Sequence, residues 1–171
     1  VARMKQSSDL ATLTEWHLEH VWRTARNSLD VNRGAIYMVD LVGRMITDQD
    51  PHTHIFSALK EALDRMEEGH DLDWPILRFQ WALLVETGYQ PTLTTESEKV
   101  PIVACCSRVG GVVEDTGEID RVRVRKETIE VLRLLQDNRP MQTVDPETLR
   151  RGNRLLAHYL RDIIGSESAA M

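Results

Sequence analysis

Three groups of side chains in this sequence have the types and spacing to do chemistry. The first is Asp50, His52 and His54, followed by His70, Asp71 and Asp73. Imidazoles and carboxylates of this kind ligate a divalent ion and activate water, so a metal-dependent hydrolase using His52, His54 and His70 is one reading. Against it, His52 and His54 stand two apart at an expected helix start. They therefore point to different sides of the helix, and no His-x-x-x-His pair follows. Capping and solvation account for them better, and no metal is expected. The second group is Cys105 and Cys106. A nucleophilic thiolate needs a nearby base and a surrounding that lowers its pKa. Val103-Ala104-Cys105-Cys106 instead reads as a buried strand, in which a thiol behaves as a small apolar group. No phosphate-cradling glycine loop, Ser-His-Asp set or carboxylate pair presents itself, and Gly110-Gly111 reads as a turn. The expectation is a protein with no catalytic residues and no cofactor.

The third group is basic and aromatic, which suits binding rather than catalysis. Between Arg121 and Arg139, six basic residues (Arg121, Arg123, Arg125, Lys126, Arg133, Arg139) face three acids, a local charge of +3. Between Arg150 and Arg161 there are four arginines (Arg150, Arg151, Arg154, Arg161) and no acid. Such runs are ordinarily solvated helix faces, but two of them on one body can also make a positive face for a nucleic acid. Trp16, Trp22, Trp74 and Trp81 could stack bases. Trp22, beside Arg23 and Arg26, is the better stacking candidate, whereas Trp81 lies in an apolar stretch that favours core packing.

These residues must be carried by elements, and the elements are mostly helical. Val31 to Ile46 repeats apolar residues at three- and four-residue steps through Ala35, Met38, Val39, Val42, Met45 and Ile46. Asp50-Pro51 reads as a helix start, with the stripe Ile55, Phe56, Leu59, Ala62, Leu63 and Met66 behind it and Gly69 as its C-terminal cap. Asp73-Trp74-Pro75 opens a further helix by the same logic. Ile76 to Val85 leaves it almost no polar face, which belongs in the middle of a domain. Gly88 ends it. Pro91, Pro101 and Gly110-Gly111 then punctuate a different stretch, in which Ile102–Cys106 and Val112–Val113 predict a short β-hairpin. Lys126 to Gln136 returns to helix with Ile129, Leu132 and Leu135 inward. Asp145-Pro146 starts a last helix, striped by Leu149, Leu155, Leu156, Tyr159, Leu160, Ile163 and Ile164. Gly165 is expected to end it, leaving Ser166 to Met171 without a reason to be ordered.

The composition fits this picture. The 171 residues are 42% hydrophobic and 28% charged, an ordinary globular balance. No apolar run approaches the roughly 20 residues that span a bilayer. The only two cysteines are neighbours, which excludes a disulfide scaffold and fits a reducing compartment. Lys and Arg total 21 against 27 Asp and Glu, a net charge of −6. That balance argues against a free-standing DNA binder. A chain beginning with Val1 suggests a processed or partial protein.

Leu77-Arg78-Phe79-Gln80-Trp81-Ala82-Leu83-Leu84-Val85-Glu86-Thr87-Gly88-Tyr89-Gln90-Pro91 resembles the Arg-Phe-x-x-x-Leu-Leu-x-x-x-Gly-Tyr-x-Pro signature of the RecO family of bacterial recombination mediators. Ala35-Ile36-Tyr37-Met38-Val39-Asp40-Leu41 is similar to that family's Ala-x-Tyr-x-x-Glu-Leu helix, with Asp40 in place of Glu. Pro51 followed by Phe56, Gly110-Gly111-Val112-Val113 and the helix from Thr148 to Gly165 fall in the family's order. The resemblance covers about residues 9 to 165. It implies a mainly α fold, a helical bundle with a short embedded hairpin where many members carry a four-cysteine zinc site. Here the positions of the first cysteine pair fall in Thr94-Thr95-Glu96-Ser97-Glu98. The second pair would fall near Glu114 and Gly117, so zinc is not implied. The oligonucleotide-binding barrel that opens such proteins is absent, and residues 1–20 would be its end or remnant, with 21–171 the helical C-terminal domain. The basic Lys-Ser ending of the family is also missing.

The resemblance further implies a non-enzymatic role in recombinational DNA repair in the bacterial cytoplasm, at the nucleoid. The implied role is to help load recombinase onto single-stranded DNA, and the implied partners are single-stranded DNA-binding protein, the RecR ring and, weakly for this chain alone, DNA. The tail of the single-stranded DNA-binding protein, acidic with an apolar end, needs a hydrophobic pocket rimmed by Arg or Lys. Helix geometry places that pocket between the two helices opening at Pro51 and Trp74. Leu59, Leu63, Ile76 and Trp81 would line it, and Arg78 and Lys60, with Arg65 nearby, would supply charge. Arg121, Arg123, Arg125, Lys126, Arg150, Arg151 and Arg154 are the candidate nucleic-acid contacts. An unrelated helical interaction domain is the remaining alternative.

Overall fold

The computed structural model describes residues 2–4, 11–13, 15, 17–47, 51–69, 71–94, 102–113, 115, 117, 121–139 and 144–170. Trp16, Asp50, His70, Glu96, Glu98 and Glu114 lie outside the described residues. Among the described residues the order is β1 (Ala2–Met4), β2 (Ala11–Leu13), α1 (Thr24–Asn27), α2 (Leu29–Met45), α3 (Thr53–Glu67) and α4 (Asp73–Glu86), followed by β3 (Ile102–Cys106), β4 (Gly111–Val113), β5 (Val122–Arg125), α5 (Lys126–Gln136) and α6 (Pro146–Ala170). The fold is mainly α with a small antiparallel sheet, as the periodicity predicts.

The helix α4 is the axis of the fold. Leu77, Leu83 and Leu84 are fully buried, with Phe79 and Gln80 nearly so. Helices α3 and α6 pack along it most extensively and α2 lies on it as well, so most of the surface of α4 meets protein. Burial on this scale contributes about 1.5–3 kcal/mol for each large side chain. Gln80 is the polar exception, and its Nε2 donates to the Tyr37 hydroxyl of α2 at 3.0 Å. The glycines expected at helix ends do that work where the chain must turn back. Gly88 has φ +78°, its N–H reaches Val85 O at 3.2 Å, and the N–H of Tyr89 reaches Leu84 O at 2.9 Å. This is the left-handed cap that a residue without Cβ allows. At the start of α6, Asp145 accepts from the backbone N–H of Thr148 at 3.0 Å and from its hydroxyl at 3.2 Å, with Pro146 in the first helical position.

Several expectations are corrected. Gly165 does not end α6, which continues to Ala170. A helical glycine costs about 1 kcal/mol relative to Ala but stops a helix only where the backbone turns left-handed. Helix α3 begins at Thr53 with His52 at its cap, two residues beyond Pro51. Val39 and Phe56, placed in apolar stripes from spacing, are 55% and 70% exposed. The predicted hairpin is present as β3 and β4, with Cys105 opposite Val112. A third strand, β5, pairs on the other side of β3, giving the order β4-β3-β5. Val103, Ala104, Cys105 and Cys106 are all buried, as a central strand covered on both faces requires. Among the described residues no helix is long and apolar enough to cross a membrane.

Candidate protein-binding groove

The residues Trp74, Arg78, Trp81, Ala82 and Val85 recur at three- and four-residue steps, so α4 presents them on one face. That face is left partly uncovered and forms the wall of an open groove of about 1000 Å³. His54 and Arg65 of α3 form one bank. Leu134, Leu135 and the turn after α5, with Arg139, form the other. Trp81 is 6% exposed and forms part of the apolar floor. The charge at the rim is basic. Arg78 Nη1 lies 2.9 Å and Arg65 Nη2 3.1 Å from the same Glu61 oxygen, so two guanidiniums share one carboxylate. Arg139 pairs with Asp137 at 3.1 Å. At the far end Glu86 lies 3.4 Å from His52 Nδ1.

Of the six residues placed in a tail pocket, Arg78 by the resemblance and five by helix geometry, Arg78 and Trp81 line this groove and four do not. Ile76 points the other way, toward Gly34 of α2. Leu59 and Leu63 pack against the core. Lys60 bonds Asp64 at 2.8 Å, and Asp64 also receives the Trp22 indole N–H at 2.9 Å. Trp22 is thus held as part of an N-terminal strap rather than free to stack. Trp74, Val85, Leu134, Leu135 and Arg139 were not read as pocket residues. The α4 members were visible as a stripe with Arg78, but the approach of α5 was not, because it is set by packing at long range.

The basic residues divide in two. On α6, Arg150 lies 3.3 Å from Asp73 of α4, Arg151 bonds the Thr148 hydroxyl at 2.9 Å and Arg154 lies 2.8 Å from Glu147, so each has a partner in the folded chain. On β5, Arg123 and Arg125 are exposed on one face of an edge strand. Arg123 meets Asp115 at 2.6 Å, and Arg121 and Lys126 flank the strand, half-buried. His52 and His54 are not brought together; among the described residues no group of three or more His, Cys, Asp or Glu is placed to hold a metal ion. Burial pushes the Cys105 thiol up to about 11, with a smaller contribution from Cys106, the opposite of what a nucleophile requires.

The family described as "Recombination protein O C terminal" matches residues 26–168. The chain is 32% identical over 80 residues to the DNA repair protein RecO of Rhizobium etli, covering 45% of this chain and 31% of that protein. It is 27% identical over 90 residues to the DNA repair protein RecO of Bacillus pumilus, covering 53% of this chain and 35% of that one. The matched region is about a third of the length of these relatives. No solved structure matches significantly.

Proposed function

The chain belongs to the RecO C-terminal family, and from that premise we propose that it is the helical, protein-binding part of a recombinational DNA repair mediator. In this reading the groove of Arg78 and Trp81 takes the C-terminal tail of single-stranded DNA-binding protein. The apolar end of the tail lies on Trp81, and its carboxylates meet Arg78, Arg65 and Arg139. The observation that carries the reading is the meeting of an apolar floor with Arg78, which sits in the family-like motif. The existing Arg78–Glu61 pair is 38% and 47% exposed. Exposed pairs contribute about 0–1 kcal/mol, so an incoming carboxylate competes with Glu61 readily.

RecR and single-stranded DNA are the further partners of this reading. With a net charge of −6, DNA binding by this chain is weak and confined to Arg123, Arg125 and their neighbours Arg121 and Lys126. Arg150, Arg151 and Arg154 stand on α6, apart from that strand, and are the weaker candidates for DNA. The test is fluorescence anisotropy with a labelled peptide ending in acidic residues, a bulky apolar residue and a free carboxylate. Arg78→Ala should weaken binding by about 1.5–3 kcal/mol, the range for a hydrogen bond to a charged group. Unchanged affinity in a folded variant moves the site elsewhere.

A further inference from the structure

Helices α2 and α6 both lie on α4 and make little contact with each other. The gap between them is a second open groove of about 410 Å³, sharing no residue with the groove at Arg78. Ala157 and Ile164, half-buried, with the edge of buried Leu41, give it an aliphatic floor beside Tyr37 and His158, and Arg44, Arg154 and Arg161 stand along it, one from α2 and two from α6. Arg44 bonds Asp40 at 2.7 Å and Arg154 bonds Glu147 at 2.8 Å, with both side chains more than half exposed. Among the described residues no ion pair is seen for Arg161, which is exposed. Exposed pairs of this kind hold weakly and leave three guanidiniums available to outside carboxylates. The outer face of α2 continues the apolar character: Leu29, Ile36 and Val39 are 63%, 62% and 55% exposed.

We propose that the α2–α6 groove docks an acidic amphipathic helix of a partner protein. Its apolar stripe would lie on Leu41, Ala157 and Ile164, and its flanking carboxylates would meet Arg44, Arg154 and Arg161. A helix is the form that fits, because both walls are helices and offer no free backbone edge for an added strand. Acidic character follows from the three arginines. A nucleic acid fits less well: a single strand is held by free aromatic platforms and an unbroken basic track, whereas the two rings here are tied, Tyr37 to Gln80 at 3.0 Å and His158 to Asp162 at 3.2 Å, and Asp40 stands among the arginines.

The probe is a labelled peptide of about four helical turns, with Leu at i, i+3, i+4 and i+7 and Glu at the flanking positions. It should bind the whole chain, and Arg44→Glu and Arg161→Glu should each weaken it by about tenfold or more, equivalent to roughly 1.4 kcal/mol. Arg78→Ala should leave this binding unchanged, which separates the groove from the tail site. Both substituted arginines are exposed, and circular dichroism confirms that the variants fold. A peptide with Lys in place of Glu should bind the Arg44→Glu/Arg161→Glu double variant better than the unmodified chain. The proposal is overturned by no binding at millimolar peptide, or by affinity indifferent to Arg161→Glu. It is equally overturned if an oligo-dT strand binds this groove more tightly than the peptide, or if sedimentation shows the groove closed in a dimer of this chain.

Discussion

Leu77 and Gly152 meet directly across the interface of α4 and α6: a Cβ added at Gly152 would lie 3.2 Å from Leu77 Cδ1 and 3.4 Å from Cδ2. The opposite flank of α4 is similar. A Cβ at Gly34 of α2 would lie 3.2 Å from Ile76 Cδ1. Successive residues of α4 therefore press into glycine notches on two different helices. Close approach of the backbones offsets the roughly 1 kcal/mol that each helical glycine costs. The same arrangement seats α2 and α6 on α4 while leaving the gap between them.

The notch is testable by coupling. Gly152→Val should destabilise the chain by about 1–3 kcal/mol through overpacking, and Leu77→Ala by about 2–5 kcal/mol through the cavity it leaves. In the double variant the added side chain fills part of that cavity. Urea denaturation should then show a loss smaller than the sum of the single losses. Strict additivity would mean that the two residues do not share the contact.

Gly111 should be far less tolerant than Gly43 or Gly165. A Cβ there would collide with Thr92 O and lie 2.8 Å from Thr92 N. Thr92 is held beside it by its own N–H to Gly110 O and by the N–H of Val112 to Thr92 O, both at 2.8 Å. Gly111→Ala must push the 91–94 segment off the sheet and should lower the melting temperature. Gly165→Ala and Gly43→Ala meet nothing within 4 Å and should each raise stability by about 0.5–1 kcal/mol. Thermal melts of the three variants decide whether the sign differs in this way.

The N-terminal strap should be acid-sensitive. The Glu67 carboxylate accepts the N–H of Thr24 at 2.8 Å and of Arg23 at 3.1 Å, and the Thr24 bond holds its pKa below the ordinary value. Asp64 is lowered first by its bond from Lys60 and next by that from the Trp22 indole. A lowered carboxylate pKa contributes stability in full above the unfolded value, about 4, and loses it as pH falls through the folded value. The Trp22 indole and Thr24 amide resonances should therefore stay fixed from neutral pH to about 5 and shift only on further acidification. Glu67→Gln should remove the acid response of the Thr24 amide. A response unaltered by that substitution would assign the titration to another group.

Cys105 should be inert in the folded chain. It is 6% exposed, and burial holds its pKa at about 11, so at pH 8 thiolate is scarce as well as shielded. A chromogenic disulfide reagent should react slowly until denaturant is added. Rapid native labelling at Cys105, located by peptide mapping, would show that the strand opens.

Local chemistry alone determined much of this protein. The apolar run from Leu77 to Leu84 identified α4 as the central helix, Gly88 and Asp145 marked their turns and caps, and the apolar runs flanking Gly110-Gly111 placed the hairpin. Each of these signals depends on a few consecutive residues: the period of burial, an orphan amide needing an acceptor, a backbone needing positive φ. The tertiary structure decided what those signals cannot reach. Val39 and Phe56 sit at helical spacing yet face outward, because periodicity defines a stripe but not which neighbour covers it. Ile76 and Arg78, two residues apart, serve opposite sides of α4, toward Gly34 and toward Glu61. Arg150 reads as part of a free basic face until Asp73, 77 positions away, closes on it. Both grooves exist only because helices distant in sequence converge on α4, and burial against long-range partners is a property of the packed chain rather than of any segment of it.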